Sequence, residues 1–197
     1  MRKLVFIVGG AGAGKTTLAK ALAKRKGAAF LDMDTLLRPA AAALMQQAGY
    51  DSNDRDSNVY KSLCRDLGYR ITMDAALENV AIGNDVLVIG PFTKETETPD
   101  WVERELSAIG ASLRDVDVKV IFVSLHDEQC YYNRILHRGS ELDQWKLDNW
   151  SDFSRSLVKR ELKWNIPASS VLYFDNSKAL DNEALDILQK FIYGTVS

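Results

Sequence analysis

The sequence predicts an α/β domain built on a five-stranded parallel sheet with helices on both faces. Short β-branched runs alternate with helical patterns along the chain, which is the signature of successive βαβ units. A parallel sheet of that kind is covered on both sides. No Pro-, Gly- or Ser-rich linker divides the 197 residues, so one domain spanning 1–197 is expected.

The strands are expected at Lys3 to Val8, Ala29 to Leu31, Val86 to Ile89, Val118 to Ser124 and Val171 to Phe174. Leu18 and Leu22 mark the first helix, which Gly27 closes by supplying the left-handed residue just past a helix end. A second helix is expected over Ala40 to Ala48, with Pro39 at its start and Gly49 after its end. Asp51-Ser52-Asn53-Asp54 reads as a turn that caps a long helix, where Tyr60, Leu63, Leu67 and Ile71 keep the spacing of a buried stripe and Gly83-Asn84 ends the run. Further helices are expected over Trp101 to Ile109, Asp127 to His137, Asp143 to Trp164 and Leu180 to Phe191. On the third of these, Trp145, Trp150 and Trp164 read as core packing.

Composition narrows the function. Twenty-five basic against 27 acidic residues leave a net charge of −2, which is no footprint for sequence-independent binding to nucleic acid or to an acidic membrane. Cys64 and Cys130 stand far apart with no CxxC spacing, so both are expected to be reduced core thiols. His126 and His137 have no partner at metal-ligand spacing, and Glu103 and Glu105 are expected to face solvent. The apolar run Leu4 to Val8 falls short of a signal peptide and nothing approaches a membrane span, so a cytoplasmic location is expected.

The strongest chemical signal is Gly9-Gly10-Ala11-Gly12-Ala13-Gly14-Lys15-Thr16, which satisfies G-x-x-x-x-G-K-[ST] between an expected strand and an expected helix. In such a loop successive backbone N–H groups of Gly10, Ala11, Gly12, Ala13 and Gly14 turn inward around phosphate oxygens. The helix that begins at Lys15, Thr16 and Thr17 directs its positive end at them. Lys15 reaches the β- and γ-phosphates and Thr16 offers a hydroxyl to Mg²⁺. ATP and Mg²⁺ are therefore the expected cofactors. No guanine-reading N-K-x-D is present, since Asn165 and Asn176 lack the following lysine. The apolar strand Val86 to Ile89 runs into Gly90-Pro91-Phe92 rather than into the acidic residues of a multi-subunit ATPase.

At Ala28-Ala29-Phe30-Leu31-Asp32-Met33-Asp34 the second strand ends in an Asp-x-Asp, and here the chain resembles the shikimate kinase and gluconate kinase branch of the P-loop kinases. The resemblance implies a three-layer P-loop fold with a small lid, Asp32 helping to hold Mg²⁺ and Asp34 contacting the acceptor hydroxyl. Ligands bind at the C-terminal edge of a parallel sheet, and a carboxylate beside a hydroxyl can take its proton as the phosphoryl group moves in line. The alternative is that both aspartates simply cap the following helix.

The resemblance also implies an adenine-side arginine after the fourth strand, then a mobile lid. Arg134 and Arg138 stand one helical turn apart there, with Arg134 expected beside the base and Arg138 on the transferring phosphoryl group. The lid is expected around 138–147, hinged at Gly139. Leu142-Asp143 stands where related lids show Arg-Asp, which leaves Lys146 as a substitute charge. Asn176 follows the last strand, where the family's adenine-contacting loop lies, although a plain turn accounts for it almost as well.

Two departures bear on the acceptor. The Gly-rich stretch of shikimate kinases is replaced by Gly90-Pro91-Phe92-Thr93-Lys94, and the acidic motif of gluconate kinases survives only as Asn53-Asp54-Arg55-Asp56. Arg55 and Lys94 are candidates to bind an anionic acceptor such as a sugar acid. The leading expectation is an ATP-dependent kinase acting on a hydroxyl of a small polar metabolite. Its competitors are a kinase for a nucleoside, nucleotide or nucleic-acid hydroxyl and a nucleotide-binding regulatory module.

Overall fold

The computed structural model describes residues 1–194. Five parallel strands, β1 (Arg2–Val8), β2 (Ala29–Asp32), β3 (Val86–Gly90), β4 (Val116–Ser124) and β5 (Val171–Asp175), lie in the order β2-β3-β1-β4-β5. Every expected strand is present. The central strand β1 is flanked by β3 and β4, with Leu4 opposite both Val86 and Val118. Its residues Leu4 to Val8 are fully buried, since both faces of the sheet are covered.

One face packs Val5, Ile7, Ile121 and Val123 against α1 (Lys15–Lys26), α6 (Glu128–Arg138) and α9 (Asn182–Tyr193). The other packs Leu4, Phe6, Val8 and Val120 against α3 (Asn58–Ala81) and α5 (Trp101–Ser107). On this second face Phe6 sits edge-on to Phe92, Trp101 and Trp164, with centroids 5.0–6.0 Å apart. Phe92 is a fully buried non-glycine residue at φ 43. Its strained backbone is held by this ring cluster and by its N–H, which donates to Tyr69 Oη at 3.1 Å.

The helix α2 (Met33–Gln47) begins directly at the end of β2 and not at Pro39, which lies inside it. The cap is Asp32, whose carboxylate accepts from the Asp34 N–H at 3.0 Å. Pro39 removes one interior hydrogen bond, and close packing against α3 keeps the helix in place. A Cβ on Gly68 would lie 2.7 Å from Leu37 Cδ2. The cap of α3 is Ser57 rather than the Asp51–Asp54 turn, and its buried stripe runs through Cys64, Gly68, Thr72 and Ala76 while Leu63 is exposed.

The single helix expected over Asp143 to Trp164 is not formed. A 3₁₀ turn at Glu141–Asp143, α7 (Gln144–Asp148) and α8 (Trp150–Ser154) are followed by an extended segment over 157–163. That segment is laced to the β3 exit loop and to the short helix α4 (Thr93–Thr96): Lys163 N–H donates to Thr96 O and Trp164 Nε1 to Glu95 O. Trp164 is buried core, whereas Trp145 is exposed and Trp150 donates to Glu128 from a half-buried position. Cys64 is buried, Cys130 only half so, and both are free thiols. Glu103 is exposed, but Glu105 takes both guanidinium nitrogens of Arg70. No helix among the described residues is long and apolar enough to cross a membrane.

Candidate active site

Where β1 ends, the chain must cross the end of β4. A Cβ on Gly9 would lie 2.2 Å from the Val123 carbonyl oxygen, so no other residue fits. The loop then turns into α1 through Gly14, which is left-handed at φ 88, ψ 17 and gives the helix no side-chain cap. With no acidic residue in the first turn of α1, its unpaired N–H groups and positive end are left for an anion. This cradle fits a nucleotide's phosphates.

The far wall of the loop is built by the two residues expected on the base side. Asn176 is buried and its Nδ2 donates to Ala13 O at 2.8 Å. Arg134 donates to the same carbonyl at 3.5 Å and to the carbonyls of Asn176 and Ser177. A Cβ on Gly14 would come within 2.4 Å of Asn176 Nδ2. Arg134 and Asn176 therefore brace the loop as well as bordering it.

Lys15 is the centre of the site. Its Nζ donates to Gly10 O at 2.8 Å. Burial lowers its pKa from 10.5 to about 8, opposed by the carboxylates of Asp34 and Asp32 and assisted by the guanidiniums of Arg160 and Arg138. The charges of Asp34, Asp32, Arg160 and Arg138 thus all act on this amine.

Thr16 Oγ1 donates to Asp32 Oδ2 at 2.7 Å, and Asp32 is buried. A hydroxyl and a carboxylate in contact are hard oxygen donors that suit Mg²⁺, which prefers to keep several waters and take one or two protein ligands. These two residues fit that ion. Thr17 follows in the first turn of α1 and is exposed. Asp34 is also exposed, and the cap of α2 is made by Asp32, so capping does not occupy the Asp34 carboxylate.

Around the lid, Arg138 pairs with the buried carboxylate of Asp143. Lys146 contacts the same carboxylate at 3.2 Å and Asp56 at 3.3 Å. The lysine read as a substitute lid charge thus ties the turn at Glu141–Asp143 to the loop before α3.

On the acceptor side, Arg55 lies over the Tyr60 ring at 5.2 Å. The Tyr60 hydroxyl is pushed up to about 12 by burial, with Arg55 opposing that rise and Asp34 and Asp56 adding to it. Arg55 and Asp34 therefore act on the same phenol. Lys94 is exposed on α4 and its ammonium makes no ion pair among the described residues. Arg160 takes the position that sequence reasoning missed. Its Nη1 donates to Pro91 O at 2.7 Å and burial lowers its pKa. Read as the interior of a long helix, Arg160 gave no signal; the clue would have been a basic residue following the lid. Beside it a cavity of about 390 Å³ opens between Gly9, Gly10, Phe122, Tyr173, Leu157 and Arg160, within the size range of small-molecule sites.

The fold and this loop define a P-loop nucleotide-binding protein. The family model described as AAA domain matches residues 4–144, more than half of the chain, and the chain belongs to that family. Among curated proteins, shikimate kinase 2 from Yersinia enterocolitica is 31% identical over 94 residues, which are 46% of this chain and 45% of that protein. The alignment thus spans less than half the length of the relative. Among solved structures, a sugar kinase from a Janibacter species matches with a TM-score of 0.59 at 17% identity, covering 98% of this chain and 96% of the other. A gluconokinase from Sinorhizobium meliloti matches with a TM-score of 0.54 at 16% identity, covering 98% and 93%. At such identities the structures share the fold.

Proposed function

We propose that this chain is an ATP- and Mg²⁺-dependent kinase that transfers the γ-phosphoryl group to a hydroxyl of a small anionic metabolite such as a sugar acid. The observation that carries this reading is that Asp32 is committed to Thr16 and to the cap of α2 while Asp34, two residues on, is exposed and committed to neither. A site that only senses nucleotide needs one carboxylate for Mg²⁺ but not a second, uncommitted one beside it.

In this reading the Gly10 to Gly14 amides and the end of α1 seat the phosphates, and Lys15 exchanges its contact with Gly10 O for phosphate oxygens. Thr16 and Asp32 would hold Mg²⁺, which would supply charge neutralisation to the phosphates. Asp34 accepts the acceptor's hydroxyl proton. The acceptor oxygen bonds to the γ-phosphorus as the bond to ADP breaks, and Arg138 steadies the charge on the equatorial oxygens. Arg55 and Arg160 present two guanidiniums to an acceptor carboxylate or phosphate.

The test is ADP release measured across sugar acids, polyols, nucleosides and oligonucleotides. Turnover with an anionic sugar or polyol acid is the expected result. Turnover confined to nucleosides or oligonucleotides would move the acceptor to that class, and a flat response would favour a regulatory module. The similarity to shikimate and sugar kinases supports the enzyme reading.

A further inference from the structure

Outside the site just described, His126, Asp127 and Cys130 bring an imidazole, a carboxylate and a thiol together at the start of α6, with one ligand atom from each within 4.8 Å of the others. We propose that these three side chains form a binding site for a transition-metal ion of borderline softness, Zn²⁺ being the best match. This site is separate from the Thr16–Asp32 oxygen pair.

The chemistry of the donor set selects the metal. Thiolate and imidazole favour Zn²⁺ and its neighbours over Mg²⁺ or Ca²⁺, which take oxygen ligands. Sequence spacing gave no sign of this group: His126 precedes the Asp127 cap and Cys130 lies in the first turn of α6, so the turn into the helix is what brings them together. Cys130 Sγ lies 3.7 Å from His126 Nδ1 and 3.8 Å from Nε2. Tetrahedral zinc, with its usual bond lengths, sets sulfur and nitrogen about 3.6 Å apart, so the separation already matches and a turn of the exposed His126 ring would aim one nitrogen at the ion. His126 Nε2 and Asp127 Oδ2 are 2.7 Å apart and would have to separate by roughly half an ångström to span the same ion. Both side chains are exposed and free to do so.

Apart from the His126–Asp127 pair, which the ion would displace, the surrounding hydrogen bonds hold the ligands without consuming them. Asp127 uses Oδ1 to cap α6, accepting from the Cys130 N–H at 2.7 Å, which leaves Oδ2 for the ion. His126 is fixed through its backbone N–H, which donates to Ser177 Oγ at 2.7 Å, so its ring stays available. Three protein ligands leave a fourth position for water. The site sits one helical turn before Arg134, on the helix that braces the phosphate loop.

The test is a titration of the full chain with Co²⁺, whose spectrum reports its ligands. The expected result is one equivalent of Co²⁺ bound with a thiolate-to-cobalt absorption band in the near ultraviolet and strong tetrahedral bands in the visible, all displaced by Zn²⁺. Cys130→Ser should abolish the thiolate band. His126→Ala and Asp127→Asn should each weaken binding at least about tenfold, and Asp127→Asn keeps the helix cap because Asn caps nearly as well as Asp. Zn²⁺ should also raise the melting temperature of the parent and not of Cys130→Ser. Absence of the thiolate band in the parent would overturn the site. So would its persistence in Cys130→Ser, or unchanged affinity in both His126→Ala and Asp127→Asn, which would mean a thiol binding the ion unaided. A metal held by Thr16 and Asp32 would give only the weak spectrum of oxygen ligation, so the two locations are distinguishable.

Discussion

Thr16 donates its hydroxyl to one oxygen of Asp32 at 2.7 Å, while the other oxygen of that carboxylate caps α2 through the Asp34 N–H at 3.0 Å. One side chain thus joins the start of α1, where we propose Mg²⁺ is held, to the start of the helix that carries Asp34. Asp32→Ala should lose the cap and about 1 kcal/mol of stability, whereas Asp32→Asn should keep the cap. Both should raise the Mg²⁺ concentration needed for half-maximal turnover. Urea unfolding and a Mg²⁺ titration of each variant separate the two roles, and equal stability loss in both would remove the cap from the account.

Lys15 gives a pH signature. Its folded pKa of about 8 lies below the ordinary 10.5 because burial disfavours the charged amine. Across that window the unfolded chain keeps a proton that the folded chain has released, so this group's contribution to stability rises with pH. Nucleotide binding runs the other way. Phosphates favour the ammonium, so ATP binding above pH 8 should take up a proton and weaken by up to about tenfold per pH unit. Calorimetric titration in buffers of different ionisation enthalpy measures the uptake. Lys15→Ala should abolish it, along with transfer and most of the ATP-induced thermal shift, and still fold.

Asp34 is exposed and does not cap, so Asp34→Asn should leave stability and ATP binding near parental. Transfer to the acceptor should fall by about 10²- to 10⁴-fold, the usual contribution of a positioned general base. Steady-state turnover with ATP affinity measured separately decides it. Parental transfer would leave the kinase reading without its acceptor base.

Arg160 combines a burial-lowered pKa with a single carbonyl contact to Pro91. Arg160→Ala should raise KM for an anionic acceptor by about tenfold to a hundredfold, the value of one charge-assisted hydrogen bond. ATP affinity should change little. A larger loss in ATP affinity than in acceptor KM would reassign Arg160 to the nucleotide.

In the lid, Arg138 and Lys146 share the Asp143 carboxylate. Arg138→Ala should lower kcat more than ATP affinity, by up to the 10³- to 10⁵-fold range of arginine fingers. Asp143→Asn should lower kcat through the same arginine, so the double variant should cost less than the sum of the singles, with a coupling of about 0.5–3 kcal/mol. Additive effects would mean that Asp143 does not position Arg138.

The capping geometry shows why helix starts were harder to read than strands. Pro39 looked like a first-turn proline, yet the helix begins at Met33, capped by Asp32, and contact between Leu37 and Gly68 holds a helix that its own sequence interrupts. The stripe on α3 shifted for a related reason, since close approach to α2 favours Gly68 over Leu67 at the interface.

The five strands, the phosphate loop and the Asp-x-Asp were legible in the sequence because each is local. A buried parallel strand is a short apolar run, and a phosphate cradle is a fixed spacing of glycines before a helix. The tertiary structure alone decided where Arg160 went and which acids Lys146 would bridge. The place of Arg160 depends on a segment over 157–163 that is held by carbonyls of residues 91–96 and by Leu157 lying over Gly10. Its amino acids suit a helix as well as an extended strap, and only contacts with distant parts of the chain favour the second.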